Sequence, residues 1–194
     1  QMRRIRVAHV ITRMCVGGAQ ENTFHTVRLA NSDRYEVDLV SGRTARSEPS
    51  MELSARDAGI EIVHVKHLVR NPSPLNDLRA YNELVRLFRE RRYDIVHTHT
   101  SKAGYLGRMA AAKAGVPIVV HTPHGHIFFG YFSRLLTGFF TKLERDAAQK
   151  TNKLIELTQR GVDQHLAEGV GLAEQWTSIF SGIDLAPFES AIHA

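Results

Sequence analysis

The chain has 194 residues, 43% of them hydrophobic and 23% charged, a composition typical of one globular domain with a buried core. The single cysteine, Cys15, excludes an internal disulfide, and the sequence shows neither a signal peptide nor an apolar segment that could span a bilayer, so we expect a cytoplasmic protein. Much of the net charge of +5 comes from short arginine runs without interleaved aromatics, so nucleic acid is not expected as a partner. An anionic small molecule or an acidic membrane surface fits this charge at least as well as nucleic acid does.

The first element is an apolar run over residues 5–11, which predicts a buried parallel strand. Gly17 and Gly18 follow in a turn, and a helical pattern begins directly after them. This is the layout of a phosphate cradle, because glycines let an anion approach and free N–H groups at a helix start point towards it. The spacing matches neither the dinucleotide-binding fingerprint nor the P-loop, so a tight turn that binds nothing stays open.

Strands and helices alternate along the rest of the chain. Further strands are predicted at residues 35–40, 60–65, 94–97, 116–121, 153–157 and 175–180, and helices at 52–58, 76–92, 102–114, 133–149 and 159–168. Residues 66–75 hold two prolines and several cations, which predicts a basic loop. The pattern predicts a doubly wound, Rossmann-like, mostly parallel sheet of about six to seven strands with helices on both faces.

Ligands of such sheets bind beyond the carboxyl ends of the strands. Four of the first five loops at that edge carry cations or histidines, so the edge is predicted to be electropositive, as an anion site requires.

Histidines are concentrated in two of these loops. His97, His99, His121, His124 and His126 have the residue type of metal ligands, but no acidic residue or cysteine stands near His97 and His99, so no metal is expected. His97 and His121 are predicted to be buried, hydrogen-bonded residues at strand ends. His124, in a loop at the ligand edge, is poor core material.

Three stretches of the sequence together resemble a known family. They are residues 5–21 with the diglycine, residues 94–125 (DIVHTHTSKAGYLGRMAAAKAGVPIVVHTPHG), and residues 144–158 followed by SGIDLAPF at 181–188. They resemble the N-terminal domain of GT-B glycosyltransferases, specifically the retaining glycosyltransferase family 4 (group 1). The middle stretch is the most specific of the three, and the resemblance spans nearly the whole chain.

The resemblance implies a bacterial enzyme of polysaccharide biosynthesis. A sugar would pass from a UDP- or GDP-linked donor to a glycan, glycolipid or small-molecule acceptor with retention of configuration, without a cofactor or metal. Residues 1–180 would form the acceptor-side domain and 181–194 the start of an interdomain linker. The donor-binding C-terminal domain, its intramolecular partner, would be absent, so this fragment alone is expected to be inactive. Peripheral association with the inner face of an acidic membrane fits a lipid-linked acceptor.

The resemblance also implies roles for individual residues. His124 would be the catalytic histidine that holds a hydroxyl or carbonyl of the donor sugar against the leaving group. The donor diphosphate and sugar would contact Gly17, Gly18 and Gly125, and the acceptor would contact Thr100, Ser101, Lys102, Arg70 and His126. A solvated lysine at a helix start is the alternative for Lys102, and His67 is a further candidate for an anionic acceptor.

Two other functions remain open. One is a non-catalytic nucleotide- or sugar-binding or interaction module; the other is an NAD-type oxidoreductase domain, which is disfavoured because the G-x-G-x-x-G turn is missing and the second strand lacks a terminal acid. The aromatic stretch 128–140 could pack in the core, line the acceptor cleft or face a membrane.

Overall fold

A computed structural model describes residues 3–125 and 134–182, with only the backbone described for 134 and 135. The predicted aromatic run at 128–132, His126 and all but the first two residues of the predicted linker lie outside these ranges. The strands are β1 (Ile5–Arg13), β2 (Tyr35–Gly42), β3 (Ile62–His64), β4 (Ile95–His99), β5 (Ile118–Thr122), β6 (Lys153–Glu156) and β7 (Trp176–Ser178). The α-helices are α1 (Gly18–Arg28), α2 (Glu52–Asp57), α3 (Pro74–Arg91), α4 (Ser101–Ala114), α5 (Arg134–Ala148) and α6 (Gln159–Ala167).

The seven described strands form one sheet in the order β3-β2-β1-β4-β5-β6-β7, and every pairing in it is parallel. The strand order reverses between β1 and β4, which makes the carboxyl ends of these strands the expected ligand crevice. The predicted Rossmann-like fold is confirmed. No helix in the described ranges combines the length and apolarity needed to cross a bilayer.

Helices cover both faces of the sheet, as predicted. Side chains alternate between the faces of a strand, so Val10 and Ile11 of β1 point to opposite sides. Val10 belongs to the larger core, which includes Leu84 of α3 and Ala110 of α4. Ile11 belongs to a smaller core with Phe24 of α1 and Ala55 of α2.

Helix α4 packs unusually close to the sheet. A Cβ atom at Gly104 would lie 2.4 Å from a ring carbon of His121, and one at Gly107 would lie 2.6 Å from the methyl group of Thr98. Only glycine fits at these positions without movement of its neighbours. The close packing predicted from the Ala- and Gly-rich segment is confirmed.

Several predicted boundaries are wrong by two or three residues. The helix predicted from residue 76 begins at Pro74 with Ser73 as its N-cap, because proline suits the first helical position. Strand β4 continues to His99, whereas the sequence predicts that it ends at residue 97 and that a turn follows. Its pairing with β5 extends to His99 and Thr122, and this pairing outweighs the polar character of the residues.

Candidate functional site

Most of the predicted site residues that the structure describes lie at the carboxyl edge of three neighbouring strands. Strand β1 pairs with β4, and β4 pairs with β5, so the segments that follow these strands are neighbours. Gly17 and Gly18 come after β1, Thr100 and Ser101 after β4, and His124 after β5. The fold therefore brings together most of the residues that the sequence analysis selected, while His126 lies outside the described residues.

The diglycine turn leaves the start of α1 open. Gly17 is the N-cap residue and no side chain caps the helix. Gly18 is exposed, and a Cβ atom built on it would meet nothing within 4 Å. The first hydrogen bond at this end runs from Glu21 N to Gly17 O at 2.9 Å. Uncapped N–H groups and the positive end of the helix dipole favour an anion here.

Histidine side chains form a connected group beneath the loop after β5. His9 of β1 lies with its Nδ1 2.9 Å from Nε2 of His99. Nδ1 of His99 in turn lies 2.9 Å from Nε2 of His124. His97 is stacked on His99 with 4.2 Å between ring centroids, and its Nε2 is 2.8 Å from Oγ1 of Thr122. Both nitrogens of His99 are therefore used within this group.

Burial keeps these imidazoles neutral. Desolvation lowers the pKa of His9 to about 4 and that of His124 to about 4. It also lowers the pKa of His97 and of His99 well below the ordinary value, and neighbouring histidines lower both further. At neutral pH each ring therefore has one N–H donor and one bare nitrogen acceptor.

The group is arranged for hydrogen bonding and not for metal coordination. Nitrogens of His9, His97 and His99 lie within 4.8 Å of one another, which is close enough for shared coordination. However, both nitrogens of His99 lie at hydrogen-bonding distance from neighbouring histidines, and Nε2 of His97 lies at that distance from Thr122. A metal ion could bind here only by displacing these contacts.

Backbone strain is located at the same edge. His124 has φ 59° and Thr100 has φ 63°, both in the left-handed region that non-glycine residues avoid. Such conformations cost on the order of 1–3 kcal/mol each and occur mainly at functional sites. Gly125 follows His124 with φ 124°, a conformation that glycine adopts without strain. The predicted contact of Gly125 with the donor stays a prediction.

Threonine side chains connect β1 to the start of α4. Oγ1 of Thr12 lies 3.2 Å from Oγ1 of Thr100 and accepts a hydrogen bond from the backbone N of Ala103. Thr12 thus caps α4 from a neighbouring strand. Ser101, the first residue of the helix, is left exposed beside Thr100.

The cations predicted to bind an acceptor are held in ion pairs. The Lys102 ammonium group donates to Asp77 Oδ1 at 2.6 Å and to the carbonyl oxygen of Asn71 at 2.6 Å. Arg70 lies 3.5 Å from Glu48, a carboxylate that also accepts two hydrogen bonds from Arg13. These pairs fix the α3–α4 connection and the loops beside β1. The acceptor contacts of Lys102 and Arg70 stay predictions.

His67, the further candidate for an anionic acceptor, is hydrogen-bonded to Glu83 of α3. The other predicted strand-end histidine, His121, is 1% exposed and lies 2.9 Å from Thr98 Oγ1, so its predicted burial and hydrogen bonding are confirmed.

His9 was not recognised from the sequence. It lies within an otherwise apolar strand, where a lone histidine gives no local signal of function. The pairing of β1 with β4 could have indicated that His9 lies near the other histidines. His9 is in register with His97 of β4, so both side chains lie on the same face of the sheet.

Comparison with known proteins matches the chain to a family of glycosyl transferase domains and to a curated relative. The profile of a glycosyl transferase 4-like domain matches residues 17–175. A curated Escherichia coli protein, UDP-Gal:alpha-D-GlcNAc-diphosphoundecaprenol alpha-1,3-galactosyltransferase, is 32% identical over 190 residues, which cover 98% of this chain and 48% of that protein. The chain thus spans about half the length of this relative.

Solved structures share the fold at low identity. A sucrose-phosphate synthase from Thermosynechococcus elongatus has a TM-score of 0.70 at 14% identity, covering 98% of this chain and 53% of that one. A glycosyltransferase from Rickettsia africae has a TM-score of 0.70 at 17% identity, covering 98% and 46% respectively. In both cases the matching region is about half of the longer chain.

Proposed function

We propose, because this chain belongs to the glycosyl transferase 4-like domain family, that it is the acceptor-side domain of a retaining GT-B glycosyltransferase. The sugar would come from a UDP- or GDP-linked donor. The bond between the anomeric carbon and the diphosphate oxygen breaks, and a bond to an acceptor hydroxyl forms on the same face of the sugar. The hydroxyl proton leaves with the diphosphate, so atoms and charge balance in this transfer without a metal or a redox cofactor.

The observation that carries the proposal is the placement of His124. Its Nε2 bonds to His99, whereas no described residue bonds to its Nδ1. The ring is neutral at pH 7 because burial lowers its pKa. A neutral imidazole whose Nδ1 is not bonded by any described residue can hold a sugar hydroxyl without adding charge next to a developing oxocarbenium ion.

The open start of α1 supports the role of Gly17 and Gly18 on the donor side. Negative charge builds on the diphosphate as the glycosyl bond breaks, and uncapped amides at a helix start favour that charge. Gly18 has no side chain to obstruct an approaching phosphate, and the space around it is open.

The acceptor side fits a substrate at a membrane surface. The named acceptor of the Escherichia coli relative is carried on diphosphoundecaprenol. In this chain, helix α5 exposes Leu136 and Phe139 (40% and 56%) and, one turn further on, Lys142. Exposed apolar side chains beside a cation suit the interface of an acidic bilayer, so we propose peripheral association through α5.

The test is a transfer assay with radiolabelled UDP- and GDP-sugars and a diphosphoundecaprenol-linked acceptor. It is run on this chain and on the longest polypeptide that its gene encodes. We expect the longer protein to transfer sugar with retained configuration and this chain alone to be inactive. A well-folded longer protein that consumes no donor, but binds nucleotide or sugar, would replace the proposal with the non-catalytic binding module.

A further inference from the structure

The hydrogen bonds among His9, His99 and His124 form one continuous chain of imidazoles. The chain starts at Nδ1 of His9, passes through both nitrogens of His99 and ends at Nε2 of His124. It therefore runs from a residue that is 5% exposed to the loop at the ligand edge. The two outer rings are each joined to His99 through one nitrogen.

Neutral imidazoles restrict this chain to two proton arrangements. If His9 donates from Nδ1, then Nε2 of His99 must accept, His99 carries its proton on Nδ1, and it donates to Nε2 of His124. The proton of His124 then lies on Nδ1. If His124 instead donates from Nε2, every proton lies on Nε2. Any mixed arrangement places two N–H groups, or two bare nitrogens, against each other.

We propose that His99 and His9 are positioning residues that fix the tautomer of His124 through this chain, and thereby decide whether its Nδ1 donates a hydrogen bond to the sugar or accepts one. The inference rests on the proposed function only in naming a sugar as the ligand that Nδ1 of His124 contacts. The coupling of the three tautomers is a property of the folded chain and can be measured without any substrate.

Three observations support a positioning role. His124 is held at φ 59°, so the surrounding structure must supply the free energy that this backbone conformation costs. Among the described residues, His99 is the one that forms a hydrogen bond with the His124 ring. Its low pKa also leaves the ring neutral, which is the state in which the tautomer matters.

The primary experiment is a long-range ¹H–¹⁵N NMR spectrum of the ¹⁵N-labelled chain at pH 7, which reports the protonated nitrogen of each histidine. We expect His9, His99 and His124 to show the same tautomer, either all Nδ1–H or all Nε2–H. Different tautomers within the group, or rings that average freely between both, would overturn the proposal.

A pair of matched variants tests transmission along the chain. His9→Phe removes the inner end without touching His124, and we expect the tautomer ratio of His124 to change by about fivefold or more. His97→Phe is the control, because His97 stacks on His99 but bonds to Thr122. An unchanged ratio in His9→Phe, or equal changes in both variants, contradicts the proposal. If neither variant folds, the wild-type spectrum alone decides.

An activity measurement separates this inference from the proposed function. In an active full-length protein, His99→Phe should lower kcat by tenfold or more with little change in the KM for donor, since the sugar contact itself stays in place. An unchanged kcat would contradict the positioning role. Absence of turnover in the wild type would contradict the proposed function and leave the NMR result valid.

Discussion

The guanidinium group of Arg108 lies 2.7 Å from the carboxylate of Glu144 and so ties α4 to α5. Arg108 is fully buried, and Glu144 is 13% exposed. Its Nε also donates to the carbonyl oxygen of Gly104 in the preceding turn, while Nη1 has no partner among the described residues. The pair fixes the helix that follows the loop of His124, next to the close contact between α4 and His121.

Removal of Glu144 should therefore be costly. Glu144→Ala leaves the Arg108 charge buried without a counter-ion, so we expect the free energy of unfolding to fall by about 3–5 kcal/mol. Glu90→Ala is the control, because Glu90 pairs with Arg86 at 3.6 Å on an exposed helix face and should contribute at most about 0.5 kcal/mol. Urea denaturation measures both. Similar losses in the two variants would contradict the buried-pair interpretation.

The close packing of α4 makes a second prediction. Gly104→Ala places a methyl group 2.4 Å from the ring of His121, so we expect a loss of about 1–3 kcal/mol despite the better helix propensity of alanine. Gly138→Ala in α5 is the matched control, because a Cβ there meets nothing within 4 Å. It should be neutral or stabilising by up to about 1 kcal/mol. Thermal unfolding compares the two, and a stabilising Gly104→Ala would show that α4 lies further from the sheet.

Stability should fall as the pH is lowered from about 6.5 to about 4. The pKa of His9 is about 4 in the fold and near 6.5 in an unfolded chain, so the unfolded state binds a proton in this window that the folded state does not. Lower pH therefore favours unfolding, by about 3 kcal/mol from His9 alone at the acid end. Urea titrations at several pH values give the free energy of unfolding at each pH, and this free energy should change less with pH in His9→Phe than in the wild type. An equal pH dependence in both proteins would contradict the burial of a neutral His9.

Much of the fold was predictable because local patterns and long-range packing agree. Apolar runs such as residues 5–11 and the glycines of α4 each indicate a single structure. The length of β4 was not predictable in this way, because the polar residues Thr98 and His99 read as a turn until their pairing with β5 is known. The selected loop residues that the structure describes do lie at one edge of the sheet, since all parallel strands end there.

The contacts of the candidate site were less predictable than its position. A sequence shows that His124 follows a strand, but it does not show that His99 points at His124 or that His9 lies behind both. Likewise, Lys102 reads as a free cation at a helix start, and its contact with Asp77 depends on how α3 and α4 pack. Long-range side-chain pairs of this kind require the register of the strands.

Variants of the Lys102–Asp77 ion pair can separate a structural role of Lys102 from a role in binding the acceptor. Lys102→Met removes hydrogen bonds to Asp77 and Asn71, so we expect the free energy of unfolding to drop by about 1.5–3 kcal/mol. Asp77→Asn should cost a similar amount, and the double variant should cost less than the sum because both act on one pair. If Lys102 also binds the acceptor, only Lys102→Met will raise the KM for acceptor. Additive losses would contradict the pairing.

The most direct test of the central claim is the rate of sugar transfer by the full-length protein with His124→Ala. Loss of a group that contacts the reacting sugar is expected to lower kcat by about 100-fold or more while the fold is retained. His64→Ala, an exposed histidine at the end of β3, is the control and should keep the wild-type rate. A His124→Ala protein that folds normally and transfers sugar at the wild-type rate would contradict the placement of the active site in the loop after β5.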